Sequence, residues 1–239
     1  MLAEKIARME RQDPERVIQL LEPLVVDRRR ERLLEVIGKR LASIEVIFES
    51  PHDPHNGAAV IRSCEAFGVQ KLNVVETREP FLASASVAKG SLKWVDIARH
   101  PNAASAIAAA EASGHELIAT HPEGDLLPAD LCKIPRFSLI LGNERDGIGD
   151  ALRAAAKRSV RVPMRGFVES LNVSVTASIL LSHATEARPG DLPEADRRRL
   201  YARGLYLSVV RAEEIVPDPF GDPPTDPAAD PSMKPGEKP

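Results

Sequence analysis

Apolar positions along the chain follow two periods, and the change between them falls near residue 44. Before it, Val17, Leu20, Leu21 and Leu24, then Leu33, Val36, Ile37 and Leu41, recur at helical spacing, which predicts helices through 1–41. From Ile44 onward, short β-branched runs at 44–48, 72–75, 116–119, 137–141 and 160–162 alternate with helical stretches at 56–67, 102–113, 149–157 and 170–187. Alternation of this kind predicts an α/β fold with a mainly parallel sheet. A further helix at 193–214 carries Leu200, Leu205, Leu207 and Val210. Residues 217–239 hold eight prolines in 23 residues and few apolar groups, the composition of a disordered tail. The expected plan is a helical extension over 1–43, an α/β domain over 44–190, a C-terminal helix over 191–214 and a Pro-rich acidic tail over 215–239.

At 239 residues the chain is long enough for one sizeable core, and 43% hydrophobic with 28% charged residues is ordinary for a globular protein. No apolar stretch approaches the roughly 18 residues of a membrane span, so no membrane partner is expected. The opening residues mix Lys, Arg and Glu, unlike a signal peptide. Cys64 and Cys132 each sit among apolar residues, which argues against a disulfide framework and for a cytoplasmic protein. His52 and His55 have the spacing of a metal pair but no further ligand cluster, so no metal is expected.

The net charge of −3 is unevenly spread. Residues 213–239 carry seven acids against Lys234 and Lys238; the remainder has 30 basic and 28 acidic residues. Basic residues cluster at Arg28, Arg29, Arg30, Arg32, Lys39 and Arg40, and again at Arg197, Arg198, Arg199 and Arg203. Such runs can hold phosphates, or can be solvated helix faces.

Three segments carry candidate chemistry. Asn56, after the first strand, is placed to cap a helix whose Val60, Cys64 and Phe67 form one apolar stripe. Arg62 lies about 200° around that helix from Val60 and is free to reach a ligand. Leu141-Gly142-Asn143-Glu144-Arg145-Asp146-Gly147 ends a buried strand in a glycine, where backbone can approach a ligand. It contains neither a dinucleotide fingerprint nor a P-loop. Finally, a strand is stopped by Pro163 and re-enters as a helix capped by Ser170, leaving loop amides and a helix start to face a ligand. Taken singly, each segment reads equally well as a cap or a turn. Trp94, after Lys93, reads as a packing anchor rather than a base-stacking platform.

Taken in order, the segments resemble the motifs of the SpoU/TrmH branch of the SPOUT methyltransferases. Asn56-x-x-Ala59-x-x-Arg62 is similar to the first, Leu141-Gly142-x-Glu144-x-x-Gly147 to the second, and Val162-Pro163-Met164 with Ser170-Leu171-Asn172-Val173-Ser174 to the third. The resemblance implies an α/β-knot fold: a mainly parallel sheet, helices on both faces and a C-terminal trefoil knot, flanked here by N- and C-terminal helices. It implies an S-adenosylmethionine-dependent homodimer, with the cofactor held by Thr120, Gly142, Val162 and Leu171. It makes Arg62 the catalytic residue, supported by Asn56, Glu144, Ser170 and Asn172. Pro54 to Arg62, Lys93-Trp94-Val95 and Ala119-Thr120 further resemble members that methylate the ribose 2′-hydroxyl of guanosine-18 in the D-loop of tRNA. On that reading Arg28, Arg29, Arg30 and Arg32, with the run 197–203, contact tRNA phosphates. The chain departs from tRNA-acting relatives in Ser182-His183-Ala184-Thr185-Glu186-Ala187-Arg188, where a basic continuation is expected and a single Arg stands. Methylation of ribosomal RNA or of another tRNA position, and a silent RNA-binding scaffold, are the alternatives.

Overall fold

The computed structural model describes residues 2–76, 88, 90–143 and 145–216. Glu144 and the expected disordered tail at 217–239 lie outside the described residues. The N-terminal periodicity resolves into α1 (Leu2–Glu10), α2 (Pro14–Leu21) and α3 (Asp27–Ile37). Leu41 is not the last helical position; it opens β1 (Leu41–Glu49). Along β1, Ile44, Val46 and Phe48 face one side of the sheet and Ile47 the other, the alternation a doubly covered strand requires.

The chain continues through α4 (Pro54–Ala66), β2 (Val69–Val75), β3 (Asp96–His100), α5 (Ala103–Ala112), β4 (Glu116–Thr120) and β5 (Phe137–Leu141). It then forms α6 (Asp150–Ala155), β6 (Arg158–Val160), α7 (Val173–Ala184), α8 (Glu194–Ser208) and α9 (Ala212–Ile215). The described strands form one six-stranded sheet in the order β3-β2-β1-β5-β4-β6, and every ladder is parallel. One face packs on α4 and α7 through Val60, Cys64, Leu180 and Leu181; the other packs on α5 and α6 through Ala106, Ala110 and Leu152.

Two strands depart from the sequence expectation. β3 was not foreseen: Asp96-Ile97-Ala98-Arg99-His100 is an edge strand, half-buried to exposed, and has no apolar run to announce it. β6 is shifted to 158–160 because the chain leaves the sheet inside a clasp. Its Ser159 and Val160 pair with β4 on one side, while Leu126 bridges Val160 on the other. His121 N donates to Val160 O (3.0 Å), Leu126 N to Ser159 O (2.9 Å) and Arg161 N to Leu126 O (3.0 Å), so the loop after β4 wraps around the strand. A Cβ at Gly124 would lie 2.6 Å from the Val160 carbonyl carbon; only glycine lets the loop close this tightly.

The two ends of the chain share a second core. Val17, Leu21 and Leu33 from the N-terminal helices pack with Leu200, Leu205 and Tyr206 of α8, and Trp94 packs partly against them, as an anchor should. The expected single helix at 193–214 is broken at Arg211, whose φ of 56° separates α8 from α9. Cys64 is buried, and burial pushes its thiol up to about 12; Cys132 is exposed. No helix among the described residues is long and apolar enough to cross a membrane, and no metal-binding cluster occurs among them.

Candidate active site

The carboxyl ends of β4, β5 and β6 converge on a cavity of about 550 Å3. Thr120 closes β4, Gly142 follows β5, Val162 lies just beyond β6, and Leu171 precedes α7; all four line the cavity. Ligand sites in parallel α/β sheets form at this end of the strands. The volume lies within the ~300–1,000 Å3 typical of small-molecule and cofactor pockets. Its wall mixes apolar Ile148, Val160 and Val173 with polar Asn143, Asn172 and Thr176. The Thr120 hydroxyl donates to Ile140 O (3.1 Å), fixing the two strand ends against each other.

Gly142 serves the chain itself as much as a ligand. A side chain there would collide with the Gly147 backbone, because Asn143 and Gly147 bond each other in both directions (3.1 and 3.2 Å). Asn143 Oδ1 accepts from the amides of Arg145 (2.9 Å) and Asp146 (2.8 Å), which closes the turn. Glu49, at the end of β1, accepts from Gly149 N (2.6 Å) and holds the far end of the same loop. Nothing in the sequence spacing linked Glu49 to this loop. Glu144, the motif's carboxylate, lies outside the described residues.

The caps differ from the sequence reading. Asp53, not Asn56, caps α4: Pro54 occupies the first helical position and Asp53 Oδ1 accepts from His55 N (2.8 Å). Asn172, not Ser170, caps α7, accepting from Ser174 N (2.8 Å). Asn56 is thereby released for another role. Buried in the first turn of α4, it accepts from Asn172 Nδ2 (2.9 Å), joining the first and third motifs directly. A second link follows two turns on, Ser63 Oγ to Ser178 Oγ at 2.8 Å. Ser170 lines the cavity beside Leu171.

Arg62 is exposed on α4, with no hydrogen bond or ion pair among the described residues, as its place off the apolar stripe required. It does not line the cavity of its own chain. His121, Met164, Glu169 and Thr176 do, and the sequence reading missed them. Met164 and Glu169 sit in the third motif's loop, where neighbourhood to Val162 and Ser170 was the available signal.

The basic runs divide. Arg28 is exposed without a side-chain partner among the described residues, whereas Arg29 donates to Ser208 Oγ (3.1 Å), Arg30 pairs with Asp27, and Arg32 pairs with Glu35 (2.8 Å). In the second run, Arg197 pairs with Glu194 (2.6 Å) and Arg198 with Glu15. Arg199 and Arg203 bind Asp96 (2.6 and 2.7 Å), and Arg203 is only 3% exposed. The expectation that this run contacts RNA is therefore corrected at Arg203, which is buried in the fold. Arg188, the single Arg after the third motif, is likewise structural: it donates to the carbonyls of Pro135 (2.8 Å) and Ile134 (2.7 Å).

A parallel α/β sheet with this cavity, and with the first and third motifs joined beside it, defines a class. The profile of the SpoU rRNA methylase family matches residues 43–182, and the chain belongs to that family. Within it, the Escherichia coli (strain K12) tRNA (guanosine(18)-2′-O)-methyltransferase is 32% identical over 200 residues, covering 79% of this chain and 87% of the relative. Among solved structures, the A. aeolicus TrmH/SpoU tRNA modifying enzyme matches with a TM-score of 0.68 at 26% identity, over 77% of this chain and 98% of its own. The SpoU methyltransferase AviRb from Streptomyces viridochromogenes, solved with AdoMet, matches with a TM-score of 0.53 at 29% identity, over 65% and 61% of the two chains.

Proposed function

We propose that this protein is an S-adenosylmethionine-dependent methyltransferase acting on the ribose 2′-hydroxyl of guanosine-18 in tRNA. The observation that carries the reading is the cavity itself: all four residues expected to hold the cofactor line it, and the Asn56–Asn172 bond ties it to the helix bearing Arg62. The similarity to tRNA (guanosine(18)-2′-O)-methyltransferases supports tRNA as the substrate and guanosine-18 as the position. A cytoplasmic location goes with that substrate.

S-adenosylmethionine, when bound, supplies an electrophilic methyl group; Thr120, Gly142, Val162 and Leu171 would hold it. The remaining work is alignment and charge. A guanidinium stays protonated above pH 12, so Arg62 is better suited to grip the phosphate beside the target ribose and stabilise the developing alkoxide than to remove a proton. Asn56 and Asn172 fix α4 against α7, and so fix Arg62 relative to the cavity. Arg62 lies about 240° around α4 from Asn56, turned from the side that meets Asn172. A homodimer would let Arg62 serve a partner's cavity. Fully exposed Phe167 and exposed Val168, Leu171 and Val175, beside the cavity, supply the apolar surface for that contact. The clasp of 121–126 around 159–161 supports the threaded crossing of a trefoil knot.

The test is to incubate the protein with labelled S-adenosylmethionine and either tRNA or ribosomal RNA transcripts, then map the label. We expect label at guanosine-18 of tRNA and a loss of about 100-fold or more with Arg62→Ala while cofactor binding persists. Label confined to ribosomal RNA would overturn the substrate, and no label in any RNA would overturn the reaction.

A further inference from the structure

A small cavity of about 200 Å3 lies between α3, the end of α4 and the turn carrying Trp94, away from the cofactor site. It falls below the ~300–1,000 Å3 of cofactor-sized pockets and suits one planar group. Its lining is unusual for a gap between helices. Trp94 and Glu65 form part of the wall with Arg29, Arg32 and Arg40, over an apolar floor from α3 and Leu200. The Glu65 side chain has no hydrogen bond or ion pair among the described residues, and the Trp94 indole N–H has none either.

The frame around these groups is rigid. Arg40 is buried and donates to Gln70 Oε1 (2.8 Å), Glu65 O (3.2 Å) and Trp94 O (2.8 Å), and Gln70 Nε2 donates to Trp94 O as well (2.8 Å). Both pocket walls thus hang on one buried cation, which also lies beside the Glu65 carboxylate. Arg29 uses Nε on Ser208, leaving its terminal amino groups for an anion.

From this constellation we infer that the pocket takes an unstacked guanine of the substrate RNA. It lies against Trp94, with its Watson–Crick edge on Glu65 and its phosphate toward Arg29 and Arg32. Beyond its packing role, Trp94 would here stack a base, contrary to the sequence reading. The chemistry selects the base. Guanine presents two adjacent donors, N1–H and N2–H, to a carboxylate that can only accept; adenine offers one donor beside a repelling lone pair. Arg62 and Glu65 stand three residues apart on α4, on neighbouring positions of one helix face. The RNA strand gripped by Arg62 therefore passes the mouth of this pocket, and the captured base belongs to a nucleotide near the methylated one. The inference rests on the RNA-methyltransferase reading.

Trp94 is the single tryptophan of the chain, so its fluorescence reports on this pocket and the core beside it. The full-length protein, without cofactor, is titrated with the pentanucleotide RNAs UUGUU and UUAUU. We expect saturable quenching with roughly ten-fold tighter binding of the guanine-containing RNA, in line with the discrimination of a bidentate base contact. Glu65→Gln, an isosteric change at a helix end, is expected to erase that preference without moving the thermal midpoint. Equal binding of the two RNAs, unchanged fluorescence, or a preference that survives Glu65→Gln overturns the inference. No turnover is read in this titration. Absence of methylation would therefore leave a guanine preference standing, and loss of the preference would leave the methylation assay standing.

Discussion

Asn172 does two things with one amide: Oδ1 caps the first turn of α7, and Nδ2 reaches Asn56 on α4. The two functions separate by substitution. Asn172→Ala removes both and should lower unfolding free energy by about 0.5–2 kcal/mol for the cap, plus about 0.5–1.5 kcal/mol for the lost bond to Asn56. Asn172→Ser keeps a capping oxygen but cannot span to Asn56. We expect it to recover most of the stability in urea unfolding while kcat for RNA methylation stays depressed; full recovery of kcat would show that the link to Asn56 is dispensable. At this scale the sequence was readable in residue type but not in role. Asn56 and Ser170 look like caps because Asn and Ser often are. Pro54 and the Asn172–Ser174 spacing decided otherwise, and the Asn56–Asn172 contact spans 116 positions that no local pattern connects.

Among the elements, the clasp around β6 makes the firmest demand on sequence. With 2.6 Å between a methyl group placed on Gly124 and the Val160 backbone, neither side can yield without breaking bonds that fix both the loop and the strand. Gly124→Ala should cost about 1–3 kcal/mol, the range for forced overpacking. A urea midpoint equal to that of the parent protein would show that the loop is free to open. β1 and β5 were evident because burial on both faces leaves continuous apolar runs, and α4 because its apolar residues keep to one stripe. β3 was not, because an edge strand is held by backbone bonds to β2 alone and its side chains need not be apolar.

On the scale of the whole molecule, the helices from the two chain ends act as one body, fastened to the sheet edge through charge. Asp96 on β3 is reached by Arg199 and Arg203 from α8, and Glu10 of α1 binds the same two guanidiniums (3.2 and 2.5 Å). Burial raises the Asp96 carboxyl, but the hydrogen bond from Arg199 and the charges of Arg203 and Arg199 outweigh it and hold the group at about 2. A carboxyl lowered on folding from about 3.9 stabilises fully above that value and loses its contribution as pH falls toward 2. The loss should be on the order of 2 kcal/mol between pH 5 and pH 2. Comparing urea unfolding of the parent and Asp96→Asn across that range checks it, since the difference between them must shrink as the acid form takes over. A constant difference would remove Asp96 from the acid response.

The sequence by itself determined the α/β class, the helical ends and the exposed Arg62, because these follow from period and local turn chemistry; Thr120, Gly142, Val162 and Leu171 were named only through the resemblance of its ordered motifs to a known family. The tertiary structure alone decided that both chain ends share a core, that Arg203 and Arg188 are fastened inside the fold, and that Trp94 and Glu65 line one small cavity with three arginines. Local pattern records how each segment wants to fold. It does not record which distant charge or carbonyl will be waiting when the segments meet.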